Sequence, residues 1–179
     1  MGVTKKDLIK TVQKCWSSLF TPRAIFYRIE KKLGGKKISV AVVVQKLIDA
    51  EVAGVCFTVH PITKDKNQMI IEASWGLGES VVGGRVTPDT YVVDKKNMTI
   101  IDKNINEQFT QIKRIGSKTK EIKVPASKAG RQCLSDEKII ELAQICKNIE
   151  SHYKFPCDIE WCLEKGKFYI VQSRPITTL

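Results

Sequence analysis

The stretch 157-CDIEWCLEKGKFYIVQSRP-175 decides how this chain is read. Ile159, Trp161, Ile170 and Val171 make two apolar runs, and Gly166 in "EKGK" between them is a turn residue, so the pattern predicts a β-hairpin. Side chains alternate faces along a strand, so Asp158 and Glu160 share one face of the first strand, and Gln172 and Arg174 one face of the second. Whether the two polar pairs meet depends on register. A two-residue loop at Lys165 and Gly166 would set Glu160 beside Val171 and split the polar set. A three-residue loop running through Lys167 pairs Glu160 with Gln172 and Asp158 with Arg174, and that loop is the expectation.

Carboxylate and amide oxygens are hard ligands of the kind Mg²⁺ accepts while it keeps other positions for phosphate oxygens. An arginine beside them can clamp a phosphate through two N–H groups. The same residues also fit a plain cross-strand Asp–Arg and Glu–Gln set on a solvated sheet face, which needs no ligand.

The 179 residues, 42% of them apolar, suffice for one core, and none of the apolar runs reaches the roughly twenty residues of a membrane span. The N-terminus "MGVTKKDLIK" lacks the apolar centre of a secretory signal, so a cytoplasmic protein is expected. The six cysteines form no C-x-x-C pair and predict neither a zinc site nor a disulfide framework. The net charge of +11 comes mostly from lysine, without interleaved aromatics or a reading helix, so neither nucleic acid nor membrane is expected as a partner.

Residues 4–20 read as an amphipathic helix, with Thr4 and Asp7 at capping-box spacing and Leu8, Val12, Cys15, Trp16 and Leu19 as its stripe. Thr21 and Pro22 open a second helix that turns Ile25, Phe26, Ile29 and Leu33 inward and stops at Gly34–Gly35. The β-branched run "ISVAVVVQKLI" predicts a central strand buried on both faces. Its end, Gln45 to Glu51, could hold an adenine edge through main-chain groups and a ribose through Asp49 or Glu51; a strand end turning a corner is the plainer reading. "AGVCFTV" and "MIIEAS" predict antiparallel neighbours, "WGLGESVVGGRVTPD" a mobile loop with a short helix, "TYVVDKKNMTIID" a hairpin, and residues 105–130 polar strands and connections. Ser135 should cap a helix to Tyr153 with Leu142, Cys146 and Ile149 on one stripe. The class expected is α+β: a single domain with a mainly antiparallel sheet, flanking helices and an N-terminal helical arm.

Two phosphate-binding motifs fail. "GLGESVVGG" has Val81 where a dinucleotide fingerprint needs glycine, and no Gly–Lys–Ser/Thr follows at P-loop spacing. His60 and His152 stand alone and read as structural.

Five runs taken together, "CWSSLFTPRAIFYR", "VVVQKLIDAEVAGVCFT", "IEASWGLGESVVGGRVTPD", "DIEW" and "QSRPIT", resemble the ATP-grasp nucleotide-binding domain of the phosphoenolpyruvate synthase and pyruvate phosphate dikinase family. The resemblance implies a partial ATP-grasp domain over 1–179, with a helical arm at 1–35 and a nucleotide-binding lobe at 36–179. It implies Mg²⁺ held by Glu160 and Gln172 with Asp158 assisting, Arg174 on the transferring phosphates, and ATP contacts from Gln45, Lys46, Leu47, Ile48 and Glu51. It further implies phosphoryl transfer to a histidine on a second domain and use of that phosphohistidine on pyruvate in a third. The rifampin phosphotransferase type shares these runs. The family's lobe with its phosphate-binding lysine would precede Met1, so a fragment or split subunit, inactive alone, is expected; a non-catalytic folded remnant is the other expectation.

Overall fold

A computed structural model describes residues 2–33 and 37–177. The chain divides into two compact units, Met1–Leu47 with Gly116–Lys118, and Ile48–Ile115 with Thr119–Leu179.

The first unit carries α1 (Leu8–Ser17), flanked by short 3₁₀ turns, and α2 (Pro22–Glu30). Thr21 caps α2 by accepting from the Ala24 N–H, with Pro22 in the first turn where no N–H is needed. The inward packing expected of these helices is not found: neither buries a residue, and Ile25, Phe26 and Ile29 are exposed. Amphipathic periodicity specifies a stripe but not what covers it. The predicted stop at Gly34–Gly35 lies outside the described residues.

The second unit is built on a six-stranded antiparallel sheet, with strands β1 (Val52–Phe57), β2 (Gln68–Trp75), β3 (Asp89–Asp94), β4 (Thr99–Asn104), β7 (Cys157–Glu164) and β8 (Lys167–Pro175), in the order β4-β3-β2-β1-β7-β8. Strands β5 (Thr110–Ile115) and β6 (Lys118–Lys123) form a separate hairpin. Short helices α3 (Glu79–Val82) and α4 (Ala126–Ala129) sit in connections, and α5 (Asp136–Tyr153) is long. This is the α+β class the sequence predicts, an ATP-grasp-like lobe of mainly antiparallel sheet with flanking helices.

Helix α5 covers one sheet face. Ser135 caps it, and Ile139, Leu142, Ala143 and Cys146 pack on Cys56, Met69, Ile71, Tyr91, Ile159 and Trp161, all at most 1% exposed. Asp89 is buried at the margin of this core, where it accepts from the Tyr91 hydroxyl, the Gln108 amide and the N–H groups of Asn106 and Cys133. Four donors replace the water it loses.

The β-branched run is the largest departure from expectation. Among the described residues, 38–47 pair with no strand, and Val43 is 80% exposed. A strand buried on both faces needs a central slot, and both edges of β1 are already taken by β2 and β7. Among the described residues, no helix is long and apolar enough to cross a membrane.

The connection after β2 does hold a short helix, but its start is pinned. The Gly76 N–H donates to the Glu51 carbonyl and the Leu77 N–H to that of Ile112, while the Ser80 and Ser74 hydroxyls lie 3.0 Å apart. Gly76, at φ +83°, would place a Cβ 2.5 Å from the Ile112 carbonyl oxygen.

Candidate nucleotide site on the open sheet face

The face of the sheet opposite α5 is set by the same alternation that builds the core. In β2, Met69, Ile71 and Ala73 point to α5, so Ile70, Glu72 and Ser74 take the other face. Ladder register then lines up Glu72, Val55, Glu160 and Gln172 in one row across β2, β1, β7 and β8. The next row holds Ile70, Phe57, Asp158 and Arg174.

Glu160 and Gln172 are paired, as are Asp158 and Arg174, but not by the expected loop. The turn is the two-residue one: Glu164 pairs with Lys167, and Lys165 and Gly166 both have positive φ, at 50° and 74°. That conformation matches the strand twist, which favours the tighter turn. Register is recovered further on, where Trp161 pairs with Ile170 and Glu160 with Gln172, so Val171 is an extra residue in a β-bulge. The bulge moves Gln172 and Arg174 to the face that the three-residue loop was expected to give them.

Arg174 is fixed by Asp158. Its Nε donates to Asp158 Oδ2 at 2.8 Å and its Nη2 lies 2.7 Å from the same oxygen. The carboxylate is buried while the arginine side chain stays 62% exposed, so one end is anchored and the remaining N–H groups face outward. The hydrogen bond and charge of Asp158 hold the guanidinium proton more firmly.

Glu72 is a member of this face that the sequence reading missed. The signal was available, because a glutamate in "MIIEAS" interrupts an apolar strand on the side its alternation turns away from the core. Burial raises its proton affinity, and the Asp158 charge raises it further. Three carboxylates against one guanidinium leave this face in need of cation charge.

The metal-ligating atoms of this row are the oxygens of Glu72, Glu160 and Gln172, which suit Mg²⁺ or Ca²⁺ and not a soft metal. Among the described residues, no three of His, Cys, Asp and Glu close on one point. Glu160 and Gln172, paired on one rung, offer two oxygen-bearing side chains, a partial set that such an ion would complete with phosphate oxygens and water.

The expected adenine-binding stretch is split between the units. Gln45 and Lys46 are exposed and Leu47 half-buried in the first. In the second, Ile48 packs with Ala50, Ala53, Leu77, Ile112 and Cys162, an apolar cluster on the same sheet face as Glu160. Among the described residues, the main-chain groups of Gln45 to Ile48 make no hydrogen bonds, whereas Asp49 N–H donates to Glu164 and Glu51 N–H to the Leu163 carbonyl. The Glu51 side chain is exposed.

His60 is structural, as expected, its Nδ1 accepting from the N–H groups of Ile62 and Thr63. Residues 2–179 match the pyruvate phosphate dikinase AMP/ATP-binding domain. The chain belongs to that family. The dikinase match is supported by relatives: a probable phosphoenolpyruvate synthase of Methanocaldococcus jannaschii is 54% identical over 97% of this chain and 15% of its own. The phosphoenolpyruvate synthase of Pyrococcus furiosus is 46% identical over 97% of this chain and 22% of its own. The rifampicin phosphotransferase of Bacillus subtilis is 42% identical over 100% of this chain and 21% of its own. The chain thus spans well under a third of the dikinase-family proteins it matches, and carries their nucleotide-binding region.

Proposed function

We propose that the open sheet face binds the triphosphate of Mg²⁺-ATP and that the chain is the nucleotide-binding part of a phosphoenolpyruvate synthase, a pyruvate, water dikinase. The observation that carries this reading is the opposition of Glu160 to Gln172, with Arg174 held by Asp158 one row away. Glu160 and Gln172 would hold the metal by oxygen, with Asp158 positioning Arg174 and, when nucleotide is bound, assisting from its second oxygen. Bound there, Mg²⁺ would offset the charge on the phosphate oxygens during transfer. Arg174 would donate its outward N–H groups to the transferring phosphate, as phosphoryl transfer requires of a protein that mainly positions and stabilises charge.

Gln45, Lys46, Leu47 and Ile48 would offer the adenine main-chain groups, with Glu51 for the ribose. The acceptor would be a histidine on a second domain, and pyruvate would be handled by a third. The polypeptide alone would bind nucleotide without making phosphoenolpyruvate. Its free thiols accord with a cytoplasmic setting. The rifampicin phosphotransferase relative favours a second reading, in which the same face serves a different final acceptor.

The test is nucleotide-induced thermal stabilisation. Mg²⁺-ATP should raise the melting temperature of the wild-type chain, and Glu160→Gln should abolish the rise while melting normally without ligand. An equal rise in both proteins would reject the reading.

A further inference from the structure

We propose that Thr58, Glu150 and Lys95 are positioning residues for Arg174, acting through Cys157 and Asp158 from the α5 side of the sheet, a role that rests on the proposed binding of phosphate by Arg174.

The rung that aims Arg174 lies near an end of the sheet. Asp158 is the second residue of β7, Arg174 the last but one of β8, and β1 stops at Phe57, opposite Asp158. Strand ends open most readily, so a guanidinium aimed from this rung needs the rung held. The holding group is Thr58, which is 0% exposed. Its N–H donates to the carbonyl of Cys157, the residue before Asp158, at 3.0 Å. In a regular antiparallel ladder the Cys157 N–H would donate back to the Thr58 carbonyl. It donates instead to the Thr58 hydroxyl oxygen, at 2.8 Å.

The two Thr58 groups left over by that exchange are both used. The hydroxyl donates to Glu150 Oε1 at 2.9 Å, and the carbonyl accepts from Lys95 Nζ at 2.7 Å. The same ammonium lies 2.5 Å from Glu150 Oε2, which closes a ring from β1 through α5 and the turn after β3. Lys95 is itself fixed, its N–H donating to the Asn67 carbonyl and its carbonyl accepting from Lys147 Nζ. The Lys95 and Glu150 side chains are mostly buried, so water does not compete freely for these bonds. A buried ion pair is a weak source of net stability beside apolar packing, but its bonds have direction. Direction at Cys157 passes to Asp158 through one peptide, and from Asp158 to Arg174 through the bonds to Oδ2.

The test uses the 179-residue chain and two readouts. Thr58→Val keeps the shape of the side chain but strands the Cys157 N–H and Glu150 Oε1, whereas Thr58→Ser keeps the hydroxyl. Ile139→Val, a change in the α5 core outside the ring, controls for lost stability. Without nucleotide, the Arg174 Nε–H should exchange with water faster in Thr58→Val than in wild type, and at the wild-type rate in Thr58→Ser and Ile139→Val. With nucleotide, the preference for Mg²⁺-ATP over AMP should fall about tenfold in Thr58→Val and hold in the other two. Lys95→Met breaks the ring at another point and should repeat the Thr58→Val result, so it carries the test should the valine variant not fold. An unchanged Arg174 exchange rate in Thr58→Val or Lys95→Met, equal acceleration in Ile139→Val, or no rescue by serine would overturn the proposal. Faster Arg174 exchange with the ATP preference intact would instead reject phosphate binding by Arg174, the reading beneath it.

Discussion

Glu160 stands opposite Gln172 although the loop joining their strands is one residue too short to bring them together in a regular ladder. Val171 supplies the missing count as the extra residue of a bulge. Deleting Val171 should therefore leave the same rungs facing, because a two-residue loop then counts evenly from Lys167 to Gln172. The expected result is retained cross-strand nuclear Overhauser contacts between residues 160 and 172, and a stability loss of about 1 kcal/mol from the half-buried valine. Loss of those contacts would show that the bulge does more than adjust the count.

Gly54, in the centre of β1, has no room for a side chain. A Cβ there would lie 1.8 Å from the Glu72 carbonyl oxygen and 2.9 Å from Trp161 Cζ2. The first of these is backbone, so β1 and β2 would have to part. Gly54→Ala is expected to cost at least about 2 kcal/mol in urea unfolding, and to weaken the site by displacing Glu72. A cost under about 0.5 kcal/mol would contradict the packing described.

Glu72 gives the face a pH signature. Its proton affinity in the folded chain is raised above the ordinary 4.5, first by burial and then by Asp158. A carboxyl so raised favours folding while protonated and loses that advantage as pH rises through its folded value. Glu72→Gln should therefore melt higher than wild type at pH 7, with the gap closing as pH falls through the raised folded value and gone once pH is below the ordinary 4.5. A gap independent of pH, or a lower melting temperature at pH 7, would contradict the assignment.

The elements whose partners lie nearby were legible in the sequence. Ser135 and the Leu142–Cys146 stripe gave α5, and the hairpin holding Asp158, Glu160, Gln172 and Arg174 was found with its pairings, because alternation and capping are local signals. The route to that register was not, since a two-residue turn with a bulge and a three-residue turn without one count to the same rung. Residues 38–47 failed for a different physical reason. Their composition fits a central strand, but β2 and β7 occupy the central positions beside β1, and propensity carries no information about which slots are taken. Glu72 was passed over because a lone acid in a strand carries no motif; only the register across β1 places it in a row with Glu160.

The central claim is that Glu160 and Gln172 hold the metal of a metal–nucleotide complex. Its most direct test is nuclear magnetic resonance of the side-chain amides with Mn²⁺-ATP in place of Mg²⁺-ATP. The Gln172 amide signals should broaden away at substoichiometric Mn²⁺, while those of Gln144 and Asn148, bonded to each other on α5 across the sheet, persist. Persistence of the Gln172 signals, or equal broadening of all three residues, would contradict it.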